Sequence, residues 1–193
     1  MRLSFADEGL AALDGLAGFD SLCLFVFEDE RPLRGLPGYV DWRLCGGLSR
    51  VLMNRWFVGA HGDALLLPSQ ARLPATRIFC YGAGRKAALD AARFGALVRK
   101  ACDAMGLAGA KNFATSLPPV TGLEEEARAA LFLSEGAARL KAERLLLLGD
   151  GRALARAFQK AAANMKGLEV DKDPLGTTQV PLRPGPGGKL KTA

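Results

Sequence analysis

"SLCLFVFE", residues 21–28, holds six apolar residues in an unbroken row, Leu22 to Phe27, with an aromatic and β-branched bias. A strand with one face in water alternates polar and apolar side chains, whereas an unbroken run of this length marks a strand buried on both faces. Such a strand belongs inside a parallel or mixed sheet covered by helices on each side. Upstream, "RLSFA" reads as a short first strand, followed by a Leu/Ala-rich stretch with one or two helical turns. Downstream, "DERPLRGLPG" carries two prolines and two glycines and reads as turn chemistry.

The next segment, "YVDWRLCGGLSRVLMNRW", puts Val40, Leu44, Leu48, Val51 and Leu52 at helical spacing. Gly46 and Gly47 each weaken a helix by about 1 kcal/mol relative to Ala, so close packing or a break is expected there. "DALLLPS" and "TRIFCYG" read as two strands joined across a proline-containing turn as a hairpin. From Arg85 to Met105 the pattern is that of an amphipathic helix. Ala88, Leu89, Ala92, Gly95, Ala96, Val98 and Cys102 form its apolar face, with Arg85, Lys86, Arg93, Arg99 and Lys100 largely opposite. "KNFATSLPP" is a short strand ended by prolines, and a helix opens at Thr121, whose spacing to Glu124 is that of a capping box. "ERLLLLGDG" supplies a last buried strand and "RALARAFQKAAANMK" a last helix.

Helices interleaved with buried strands make this a three-layer α/β domain, a mixed central sheet flanked by helices, over residues 1–167. Residues 168–193, rich in proline and glycine with little to bury, cannot offset their ordering entropy and are expected to form a flexible tail.

Two stretches share a skeleton: "RIFCYGAGRK" and "RLLLLGDGRA" each run from Arg through strand-like residues into Gly-x-Gly-Arg. Gly82, Gly84 and Arg85, and likewise Gly149, Gly151 and Arg152, are candidate anion-binding turns, because a helix N-terminus behind a glycine loop receives phosphate. "GAGRKA" has the right internal spacing, but it comes late in the chain and the acid about twenty residues on, Asp103, lies in the same helix. In the second stretch Asp150 would repel a phosphate. Plain strand-to-helix turns are the favoured reading of both, with local ion pairs offsetting the cations in the first helical turns.

The chain of 193 residues is 49% hydrophobic and carries a net charge of +6, with basic residues spread along it. A solvated, mildly basic surface is the expectation, and nucleic acid stays possible as a partner. Cys23, Cys45, Cys80 and Cys102 form no C-x-x-C pair, lie in apolar segments and read as reduced core thiols. No export signal or membrane-spanning run is read, and a cytoplasmic protein is expected. His61 is the only histidine; with Asp63 it forms a possible acid/base pair, but a loop position between glycines favours simple solvation. Glu124, Glu125 and Glu126 fit a capping turn better than a metal site. No catalytic residue, metal ligand or cofactor is therefore assigned, and no peptidase, esterase or Walker motif occurs.

The stretch "LCGGLSRVLMNRWFVGAHGDALLLPSQARLPATRIFCYGAGRK", followed by a long helix and then "EEEARAALFLSEGAARL", resembles the N-terminal domain of the leucyl aminopeptidases of the M17 type, over about Asp20 to Leu140. The resemblance implies a macro-domain-like fold. It also implies that peptidase chemistry belongs to a separate C-terminal domain, marked by a sequence like N-T-D-A-E-G-R-L and binding two metal ions, which has no counterpart here, so no peptidase activity is expected. A non-catalytic interaction or regulatory module, pairing with itself or with a protein partner, is the first expectation. DNA binding through Arg85, Lys86, Arg93, Arg99 and Lys100 is the second, since some bacterial members of the family bind DNA through their N-terminal regions. An ADP-ribose or nucleotide pocket, by analogy with macro domains, is the third.

Overall fold

The computed structural model describes residues 1–136, 139–163 and 165–175. Its centre is a seven-stranded sheet in the order β3-β4-β2-β5-β6-β1-β7, with β1 at Arg2–Asp7, β2 at Ser21–Phe27, β3 at Ala64–Pro68, β4 at Arg77–Gly84, β5 at Asn112–Thr115, β6 at Arg144–Gly149 and β7 at Glu169–Val170. Every neighbouring pair is parallel except β3 and β4, the expected hairpin. All seven residues of β2 are buried, and they divide by parity. Cys23, Phe25 and Phe27 enter one core while Leu22, Leu24 and Val26 enter the other, as the pleat requires.

The first core is covered by α4 (Ala91–Leu107), α5 (Glu125–Gly136) and α6 (Gly151–Ala162). The second is covered by α1 (Leu10–Asp14), α2 (Gly35–Arg43) and α3 (Gly47–Met53). This is the three-layer, macro-domain-like architecture. Asp20 ties the amino ends of three strands together: its carboxylate accepts from Arg77 at 2.7 Å and from the backbone N–H groups of Asn112 and Lys111 at 2.9 and 3.0 Å.

Several local expectations differ from what forms. The segment read as pure turn, Asp29 to Gly38, already begins α2, because a helix's first turn has no intrahelical use for its N–H groups and so tolerates Pro37. At Gly46 and Gly47, where close packing or a break is expected, the helical pattern does break, into α2 and α3, with Cys45 and Gly46 at φ 52° and 76°. The helix expected from Arg85 starts at Ala91 instead: after a single 3-10 turn at Lys86–Ala88, Asp90 caps α4 by accepting from the Arg93 N–H at 2.9 Å. Thr121 caps nothing. Its N–H bonds to Leu89 O at 2.8 Å, and α5 opens with the Arg128 N–H bonding to Glu124 O at 3.0 Å.

The segment assigned to a tail from residue 168 does not leave the domain at that point. Glu169–Val170 pairs with β1, and the Leu175 N–H reaches Phe5 O at 2.7 Å. Asp171 accepts from Ser4 Oγ at 2.7 Å and from Arg2 Nε at 3.0 Å. What draws this segment in is the open edge of β1, which needs partners for its backbone groups. Residues 176–193 of the expected tail lie outside the described residues.

Candidate functional site

In a parallel sheet the crevice opens at the carboxyl ends of two neighbouring strands whose connections leave in opposite directions. Here those strands are β2, from which the chain moves to β3 and β4, and β5, from which it moves to β6. A crevice of about 280 Å³ lies there, between Phe27, the Ser116–Pro119 turn, Leu148 and Gly149, and the first turn of α2.

Glu8 is the residue that sequence reasoning missed. It follows β1, and its N–H bonds to Gly149 O at 2.9 Å. Its carboxylate lies against the first turn of α2; burial raises its pKa above the ordinary carboxylate value, and the nearby Leu36 backbone N–H and Ser116 hydroxyl pull it partly back. Gly35, at φ 57°, admits this approach, since a Cβ there would sit 3.3 Å from a Glu8 oxygen. The N-terminus of α2 is the crevice's natural anion receptor, and it already holds a carboxylate. At the mouth, Lys86 pairs with Glu30 at 3.0 Å, and the Lys86 N–H donates to Asp29 at 3.0 Å. Nothing local in "ADEGL" distinguishes Glu8 from an ordinary surface acid, because Leu36 and Ser116 are brought to it only by the fold.

The first glycine stretch is not a turn into a helix. Gly82 and Gly84 are still strand, and the Gly84 N–H bonds to Gly59 O at 2.9 Å. A Cβ on Gly82 would lie 2.0 Å from Ala60 O, so the glycine serves backbone against backbone. Arg85, on the surface beyond it, pairs with Glu28 at 2.9 Å. The second stretch is a strand-to-helix turn, as expected. Asp150 caps α6 by accepting from the Ala153 N–H at 2.9 Å, and the Gly151 N–H donates to Asp7 at 3.0 Å. Two carboxylates thus fill the N-terminus of α6, while Arg152 is exposed.

The cations proposed for nucleic acid do not form one free face. Arg85 and Lys86 lie before α4, and Arg99 pairs with Glu135 at 2.6 Å. Arg93 donates to Ala88 O at 3.2 Å and Lys100 to Gly62 O. His61 is exposed, and Asp63 does not serve it, because the Asp63 carboxylate accepts from the N–H groups of Val58 and Ala60 at 3.3 and 3.1 Å. Glu125 pairs with Arg128 and Glu126 with Lys160. Cys23, Cys80 and Cys102 are buried, and burial pushes the Cys80 and Cys102 thiols up to about 12. Cys45 departs from the expectation of four core thiols. It is exposed, its Sγ facing Arg72 at 3.0 Å, because the break between α2 and α3 turns it outward. Among the described residues there is no group of three metal-ligating side chains, and no helix is long and apolar enough to cross a membrane.

A mixed seven-stranded sheet between two helical layers, with its crevice at the β2/β5 divergence, defines an α/β domain of the macro type. Solved structures agree on the fold. A Trypanosoma brucei macrodomain in complex with ADP superposes with a TM-score of 0.60 at 12% identity, covering 83% of this chain and 69% of that one. A tomato leucine aminopeptidase mutant gives 0.58 at 21% identity, covering 83% of this chain and 35% of that one. A probable cytosol aminopeptidase of Geobacter sp. (strain M21) is 35% identical over 107 residues, 53% of this chain but 21% of the relative, so the chain spans about a fifth of that protein. The model of the cytosol aminopeptidase family's N-terminal domain matches residues 23–141, more than half of the sequence. The chain belongs to the cytosol aminopeptidase family, within its N-terminal domain.

Proposed function

We propose that this chain is a non-catalytic interaction module that acts by docking to a protein partner or to a second copy of itself. The observation that carries this reading is Glu8 on the N-terminus of α2. The position that would attract a ligand's phosphate is occupied from within by the Glu8 carboxyl group, so an ADP-ribose or pyrophosphate group entering the crevice finds that receptor already taken. With the crevice's anion receptor taken by Glu8, function on this reading lies at the outer surface.

Sedimentation of the purified chain together with affinity capture from its own cells tests the reading. A defined oligomer or a stoichiometric partner is expected; a strictly monomeric chain that retains nothing overturns it, as does hydrolysis of leucine amides. The variant shortened after Leu175, which keeps the strand along β1, reports whether residues 176–193 form the contact. ADP-ribose is expected to leave the melting curve unchanged. A true ligand at a hundred times its Kd would add about 2.7 kcal/mol. Duplex DNA is expected to show no salt-sensitive retardation, since three of the five cations considered are paired with carboxylates.

A further inference from the structure

Charge is unevenly placed along this chain. Between Arg31 and Thr76 there are six arginines, two aspartates, and neither lysine nor glutamate, an excess of four positive charges in a chain of net charge +6. Both tryptophans lie in the same segment. The fold gathers its first half into α2, α3 and their loops on one side of the sheet, with β3 and the loops around it making up the rest, and leaves Trp42, Met53 and Trp56 63%, 73% and 77% exposed. Its aspartates are engaged: Asp41 accepts from the Ser49 N–H and hydroxyl at 2.9 and 2.6 Å, and Asp63 caps its own loop.

Arg43 is neutralised by pairing with Asp14, whereas Arg50 and Arg72 are held in place without a carboxylate. Arg50 donates to Cys45 O at 2.8 Å and Arg72 to Cys45 Sγ at 3.0 Å, and the Cys45 N–H bonds to Trp42 O at 3.0 Å, so these four residues adjoin. Arg50 and Met53, three apart on α3, share a side. Arg34, Arg50, Arg55 and Arg72 are exposed, with no carboxylate within 4 Å among the described residues. On the opposite layer, by contrast, Arg99, Arg128, Arg139 and Lys160 all meet carboxylates. Among the described residues, the non-glycine positions with positive φ are Cys45, Arg55, Gln70 and Ala71, all in this same segment. The chain accepts unfavourable backbone where it shapes this surface.

We propose that the α2–α3 face, centred on Trp42, Arg50, Met53, Trp56 and Arg72, docks an acidic, partly apolar segment of a partner protein; this rests on the reading of the chain as an interaction module. Exposed Trp and Met interspersed with Arg and free of Lys is the composition of protein interface centres. The uncompensated guanidinium groups fix the partner's charge as negative. Nucleic acid fits less well, because the Arg43 guanidinium already covers the Trp42 ring at 5.2 Å, where a base would stack. Beside Arg72 the loop from Pro68 to Thr76 forms a shallow groove of about 640 Å³ that receives the apolar side chains.

The test uses the full chain and a fluorescent peptide of alternating Glu and Leu, with a Lys/Leu peptide and a single-stranded oligonucleotide as alternatives. Anisotropy reports binding, and the emission of the two tryptophans reports its place. The Glu/Leu peptide is expected to bind and shift that emission. Arg50→Glu/Arg72→Glu and Trp42→Ala/Trp56→Ala are each expected to weaken it at least about tenfold, the effect of losing one strong interface contact. Arg93→Glu/Lys100→Glu, on the opposite layer, is expected to leave it unchanged. Circular dichroism melts confirm that these exposed substitutions keep the fold. Absence of peptide binding, equal loss in the Arg93→Glu/Lys100→Glu variant, or tighter binding of the oligonucleotide through the same arginines overturns the proposal. A captured partner or self-complex that survives in Arg50→Glu/Arg72→Glu overturns this surface while leaving the module reading intact.

Discussion

Two stretches of one sequence skeleton, Gly82 to Arg85 and Gly149 to Arg152, do different work. In the first, the glycines remain strand, and their missing side chains let the Gly59–Ala60 backbone lie against β4. In the second, the glycines bracket the cap of α6, and the space above Gly151 is occupied by Pro174 from the far end of the described chain. A Gly-x-Gly-Arg motif therefore reports that backbone must approach something closely; what approaches is set elsewhere.

Substitutions separate the two sites. Gly82→Ala is expected to have the largest effect, because its Cβ would lie 2.0 Å from Ala60 O and 2.7 Å from Gly59 C, and backbone on both sides cannot yield. Chemical denaturation should show a loss of ~3 kcal/mol or more, and a loss below 1 kcal/mol would mean the loop is not packed as described. Gly151→Ala meets Pro174 Cβ at 2.8 Å, a contact that can shift with its segment. A loss of about 1–2 kcal/mol is expected, with faster hydrogen exchange at Leu175, whose N–H would loosen from Phe5. Asp150→Ala removes the N-cap of α6 and should cost about 1 kcal/mol, whereas Asp150→Asn should largely restore it.

Two carboxylates at opposite ends of the sheet, Glu8 after β1 and Asp20 before β2, respond to pH in opposite directions. For Glu8 the folded pKa lies above the unfolded value, so stability falls as pH rises from the usual carboxylate pKa through the raised one, and Glu8→Gln removes that slope. For Asp20, burial pushes the pKa up, but the hydrogen bonds from Ser21, Asn112, Arg77 and Lys111 together bring it below its ordinary value. Stability that Asp20 contributes at neutral pH is lost as pH falls through the lowered pKa. Acid titrations of the melting temperature in Glu8→Gln and Asp20→Asn should therefore differ in the sign of their change from wild type. Glu28→Gln is expected to matter least: its partner Arg85 is 75% exposed, and screened pairs of this kind are worth about 0–1 kcal/mol, so an unchanged midpoint within error is the outcome.

Much of the fold was legible because burial has a period. The unbroken run at Leu22 to Phe27, the hairpin at Ala64 to Gly84 and the last strand and helix all follow from which residues avoid water. Helix starts were less legible. Thr121 and Glu124 have capping-box spacing, yet Thr121 is used to fasten the chain to Leu89 instead. Arg85 and Lys86 continue a helical charge pattern, yet Leu89 and Asp90 interrupt it. The α2–α3 surface carried a signal that was there to be counted, the absence of Lys and Glu between Arg31 and Thr76, but a charge summed over the whole chain conceals it.

By itself the sequence determined the layers: apolar periodicity is a local property, and the free energy of removing those side chains from water acts on each segment wherever the chain runs. Only the tertiary structure decided that Glu8 would sit on the first turn of α2, that Asp7 would hold the Gly151 N–H and that residues 168–175 would run along β1. Those contacts join residues distant in sequence, and a hydrogen bond or a close backbone approach depends on where the partner lands, which no local pattern records.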